Sequence, residues 1–238
     1  MLEFPEHLPL RAFRLQASYT AARLNALDET RHLARGFEEA ADKFALLEEE
    51  EAQLAVRRMQ TQAAVETADD AWDDTMLGFR ARLLEQCAHD TESELYRRYF
   101  AEIPSNVTSL SYPAEILISK ELEAQLAHEE EASLKGFAER LAEKRAGLEG
   151  LMAERTRLEV EEARFANRVQ LAKQVLNKLR RVLFTSLEEI QMARGRAESW
   201  CARFYYSHND VLAALDADGA EESPVEVVHV ASSDDDVL

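Results

Sequence analysis

The 238-residue chain is 46% hydrophobic, enough to bury a sizeable core, yet it holds only seven glycines and five prolines. Its 31% charged residues and the dominance of Ala, Leu, Glu and Arg are the composition of long helices, which sets sheet-based folds aside. A formal net charge of -18 would repel a nucleic-acid backbone or an anionic membrane surface, so neither is expected as a partner.

The amino terminus, Met1-Leu2-Glu3-Phe4-Pro5-Glu6-His7, has acids and a proline where a secretory signal needs a basic start and an apolar run. No apolar stretch approaches the roughly 20 residues that span a bilayer. Cys87 and Cys201 form neither a disulfide framework nor a zinc pattern. A cytoplasmic, non-secreted protein is expected.

Residues 1–102 are expected to form an N-terminal helical hairpin. Between Leu10 and Phe100 there is no proline, and the only glycines are Gly36 and Gly78. Apolar positions recur in steps of three and four at Leu10, Phe13, Ala17, Leu24 and Leu27, then slip phase near Thr30 as a coiled-coil stutter would. They resume at Leu33, Phe37, Ala40, Phe44, Leu47 and Leu54. The polar cluster Thr67, Asp69, Asp70, Asp73, Asp74 offers caps for a new helix and is a candidate corner.

Residues 103–113 read as a loop, because Pro104-Ser105-Asn106 and Tyr112-Pro113 favour turns. Residues 114–207 follow as a long helix or hairpin with a heptad seam. Its core positions are Leu148, Leu151, Leu158, Phe165, Val169, Leu176, Leu179, Leu183 and Ile190, within a three-four alternation that runs from Leu141 to Phe204. Lys144, Arg155 and Glu162 interrupt the early part of that seam, and Gly147 and Gly150 are the natural corner if the segment turns back. The seam can be satisfied within one chain or by a second copy, and a homodimer is the expected outcome.

Residues 208–238 read as an acidic, flexible tail: beyond Asp210 there are eight acids and no Lys or Arg. Within it Val225-Glu226-Val227-Val228-His229-Val230 precedes Ser232-Ser233-Asp234-Asp235-Asp236. Alternating β-branched residues in a charged segment suit strand addition to another protein's open sheet edge. The partner-binding residues expected are Val225, Val227, Val228 and Val230, with Asp234, Asp235 and Asp236 beside them. The pattern resembles a SUMO-interacting motif, and this resemblance implies a SUMO-like partner if the source is eukaryotic.

Chemistry has few candidates. Glu29 and His32 have the Glu-x-x-His spacing of helical di-metal sites, but no second copy accompanies them. Cys87 lies two residues from His89, which on a helix points elsewhere. No phosphate loop or nucleophile elbow is present. No catalytic residue, metal or cofactor is therefore assigned. The fold class expected is all-α, an elongated bundle of long antiparallel coiled-coil-type helices with a disordered acidic tail. The function expected is a non-enzymatic scaffold or adaptor acting through protein–protein interaction, with the tail as a docking peptide. The alternative is a bundle that binds a small ligand or metal between its helices.

Overall fold

The structure is a computed structural model that describes residues 4–100 and 109–219. Six α-helices account for most of them: α1 (Leu10–Asn25), α2 (Arg35–Gln86), α3 (Glu94–Phe100), α4 (Tyr112–Leu126), α5 (Ala132–Arg194) and α6 (His208–Gly219). Short 3-10 helices lie at Arg31–Leu33 and Glu198–Phe204. There is no strand among the described residues, and the fold is all-α with long helices. The chain divides into two compact units. One takes the described residues up to Glu50 and from Ala166 onward, the other takes Glu51–Phe165, and α2 and α5 contribute a stretch to each.

In the first unit, α1 buries the face made by Leu10, Phe13, Ala17, Ala21 and Leu24, as its three-four spacing requires. Phe13 meets Phe4 edge-on at 4.9 Å and Phe44 of α2 at 5.5 Å. The phase slip near Thr30 is a chain reversal rather than a stutter. Thr30 Oγ1 donates to the Leu24 carbonyl at 2.7 Å, which satisfies a group at the end of α1 and folds the turn back. Asn25 then reaches Glu38 at 2.7 Å and Arg14 reaches Glu48 at 2.9 Å, so α1 and α2 run antiparallel.

The segment before α1 is fixed by side chains of α5. The Asn177 amide donates to the Phe4 carbonyl and accepts from the Phe4 N–H, each at 3.0 Å. Lys173 Nζ donates to the carbonyls of Glu6 and Leu8 at 2.9 and 2.7 Å. Buried backbone groups that no helix or strand satisfies are met here by two polar residues on the seam side of α5.

Helix α5 stops in a Schellman turn: Gly195 is left-handed at φ 61, Arg196 N–H donates to the Gln191 carbonyl and Gly195 N–H to that of Met192. The heptad count through Phe204 therefore overshoots the helix. Trp200 and Phe204 return on the 3-10 helix Glu198–Phe204, packed edge-on at 4.9 Å, and the Phe204 carbonyl accepts from Thr20 Oγ1 at 2.8 Å.

In the second unit, α2 continues through the polar cluster at Thr67–Asp74, where a corner was expected. Thr67 Oγ1 donates back to the Ala63 carbonyl at 2.9 Å instead of capping a new helix. The chain turns after Gln86 without glycine or proline. Ala88 and His89 adopt left-handed φ values of 51 and 62, and His89 N–H donates to the Leu84 carbonyl at 2.8 Å. This lets α3 bring Tyr99 and Phe100 onto Phe79, with ring centres 5.4 and 5.7 Å away, while Phe137 of α5 meets the same ring at 5.3 Å.

The corner between α4 and α5 lies at Ala127–Glu131, not at Gly147 or Gly150, which sit inside α5. A side chain builds it. The Glu129 carboxylate accepts from the N–H groups of Glu130 and Glu131 at 2.9 and 3.2 Å and from Tyr99 Oη at 2.5 Å. Arg145 then binds both oxygens of Glu123 at 2.7 and 3.0 Å and Glu149 at 2.7 Å, and Lys120 binds Glu149 at 2.7 Å. These charges set α4 antiparallel to α5.

Candidate functional site

Of the seam residues, Leu148, Leu158, Phe165, Leu176 and Leu183 are buried, and Leu151, Val169, Leu179 and Ile190 are half-buried. In the first unit the stretch of α5 from Ala172 to Leu179 lies against Gly36, Ala40 and Phe44 of α2, around a groove of about 310 Å³. Arg168 of α5 pairs with Glu50 of α2, so the two stretches run antiparallel. The chain's own α2 thus covers this part of the seam.

A second stripe on α5 escapes that cover. Arg168, Leu171, Val175, Lys178 and Val182 follow the same three-four alternation, one position ahead of the buried series, and so face about 100° away from it. Leu171, Val175 and Val182 are 58%, 47% and 59% exposed. Val175 forms one lip of the groove, and Glu39 and Lys43 of α2 form the other. One turn beyond Lys43, Leu46 is 67% exposed. The α5 lip carries Lys178 beside Arg168, which is paired with Glu50, while on the α2 lip Glu39 is paired with Arg35 at 2.8 Å and Lys43 stands one turn on. The result is an aliphatic surface beside a shallow groove.

The other sequence candidates are placed as follows. Val225, Val227, Val228, Val230, Asp234, Asp235 and Asp236 lie outside the described residues. Glu29 is bound by Arg196 at 2.8 Å and by Arg194 at 3.8 Å, which occupies the carboxylate that would have joined His32. No three His, Cys, Asp or Glu side chains among the described residues are arranged to hold a metal ion. The Cys201 thiol donates to Gln191 Oε1 at 2.8 Å, and burial raises its pKa, the opposite of what an activated thiolate requires. Of the basic residues near Arg168, Lys173 and Arg180 turn inward; Arg180 sits over the rings of Phe4 and Tyr205 at 5.2 and 5.3 Å, and burial lowers its pKa.

One feature of the second unit had no distinctive signal in the sequence. Asp69 and Asp73, one turn apart on α2, share their surroundings with Glu115 in the first turn of α4, and Glu115 is only 2% exposed. Among the described residues nothing donates a hydrogen bond to Glu115 Oε2, Asp69 Oδ1 or Asp73 Oδ1. One turn further along α4, Ser119 Oγ accepts from the indole N–H of the fully buried Trp72 at 2.6 Å. Burial first, then a hydrogen bond with Asp69 and the charges of Asp69 and Asp73, push the Glu115 pKa up to about 8. Acids this common in the chain gave no hint that these three would share a buried site.

Fold and surface together define an all-α protein of paired long helices. No described helix is long and apolar enough to cross a membrane. Comparison with protein-family models, curated proteins and solved structures finds no match.

Proposed function

We propose that this chain is a non-enzymatic helical adaptor that acts through protein–protein contact. The observation that supports the reading is the second heptad-spaced stripe on α5, where Leu171, Val175 and Val182 stand exposed beside a groove that a further helix would fill. Knob-into-hole packing needs such spacing on both partners, and the described residues supply a partner for only one of the two stripes. The occupant proposed is an amphipathic helix of another protein whose apolar stripe is flanked by carboxylates on the side that meets Lys178. A cytoplasmic setting belongs to the same proposal, in keeping with two cysteines that are both free thiols.

The tail is the second arm of this reading. Its valines would dock as an added strand, and its acids would meet a basic rim, of the SUMO kind in a eukaryotic source. The reading of the chain as a ligand- or metal-binding bundle has no comparable support, since Glu29 is engaged by arginines.

The test is affinity purification with the full chain, with Leu171→Glu/Val175→Glu, and with residues 220–238 removed. A protein held by the full chain, lost from the double variant at unchanged thermal stability, and bound through an acidic amphipathic helix supports the proposal. Retention by the double variant contradicts it. A second copy is the competing occupant: light scattering that shows a dimer above 27.0 kDa, dissociated by the double variant, would assign the stripe to self-association.

A further inference from the structure

We propose that Asp69, Asp73 and Glu115 form a proton-controlled latch: a proton shared by Glu115 and Asp69 holds the start of α4 on α2, and its loss releases that contact. Carboxylates carry no donor of their own, so Glu115 can hydrogen-bond to Asp69 only while Glu115 holds its proton. Without that proton, Glu115 Oε2 would be a charged oxygen beside Asp69 and Asp73, and among the described residues it, Asp69 Oδ1 and Asp73 Oδ1 are buried with no hydrogen-bond partner.

Among the described residues, the charges that act on Glu115 and Asp73 are all acidic. Facing Glu115, α2 presents Asp69 and Asp73, with Asp70 and Asp74 adding negative charge at Asp73. Its own helix presents Tyr112. The basic group that α5 brings to that region is Arg155, which acts on Tyr112 and is paired with Glu159 at 3.3 Å. Glu115, with Asp69 and Asp73 beside it, keeps its proton near neutrality, as one member of a close carboxylate pair does.

Ser119 is one turn from Glu115 and receives the Trp72 hydrogen bond, so release of α4 would uncover an indole that is now fully buried. The direction with pH follows from linkage. Glu115 is raised from 4.5 to about 8 in the folded state, so its stabilising proton is fully present at low pH and is lost as pH rises through about 8. This is the reverse of ordinary acid denaturation.

The test uses the full chain with Trp200→Phe, so that Trp72 alone reports. As pH rises from about 6 to 9, Trp72 emission should move to the red. Glu115→Gln, an isostere of the protonated form, should abolish the shift while circular dichroism shows unchanged helix. Asp69→Asn, which supplies a permanent amide donor, should remove the shift or lower its midpoint by roughly one pH unit or more. Emission that does not change with pH, or that shifts equally in Glu115→Gln, would overturn the latch.

Discussion

Ala88 and His89 are, among the described residues, the non-glycine positions with positive φ. Both are left-handed, at φ 51 and 62, where a Cβ crowds the neighbouring backbone. Ala88→Gly is expected to stabilise the protein by about 1 kcal/mol in chemical denaturation. Gly195, at φ 61, is the reverse case, and Gly195→Ala should cost about 1 kcal/mol. Asn177 carries a larger share because it meets both backbone groups of Phe4. Asn177→Ala leaves a buried N–H and a buried carbonyl without partners, and a loss of about 2 kcal/mol is expected in the same measurement.

Among the elements, α5 spans 63 residues and α2 spans 52, and each runs straight through a feature that could have ended it. At Gly147 and Gly150 of α5 a side-chain methyl would meet nothing within 4 Å beyond its own helix's backbone and its chain neighbours, so neither marks a tight contact. Alanine at each should raise stability by about 1 kcal/mol with helix content unchanged; destabilisation would point to a turn at that position. Helix existence was legible because the heptad positions Leu148, Leu158, Leu176 and Leu183 keep one register across the interruptions at Arg155 and Glu162. Helix ends were less legible, for physical reasons. The end of α2 uses strained Ala88 and His89, and the α4–α5 corner is built by the Glu129 side chain, neither of which has a glycine or proline to announce it. Gly147 and Gly150 suggested a turn that two helical glycines do not impose, since an otherwise favourable helix absorbs about 1 kcal/mol for each. Gly195 was a readable stop that the continuing heptad count obscured. The second stripe of α5 was hidden in the same way, because Leu171, Val175 and Val182 sit beside stronger seam positions, and only burial separates the two sets.

At the scale of the whole molecule, a charge of -18 and a tail rich in acids make any contact with a basic partner sensitive to salt. Replacing Val227 and Val228 by alanine should weaken tail docking and leave thermal unfolding unchanged, as separate assays of binding and melting would show. The central claim, however, concerns the outer stripe of α5, and photo-cross-linking in the native host tests it most directly. A photoreactive phenylalanine analogue at Val175 or Val182 is expected to capture another protein through a helix rich in Asp and Glu, while the same probe at buried Leu176 captures none. No adduct at Val175 and Val182, or an adduct only to a second copy of this chain, would contradict the account.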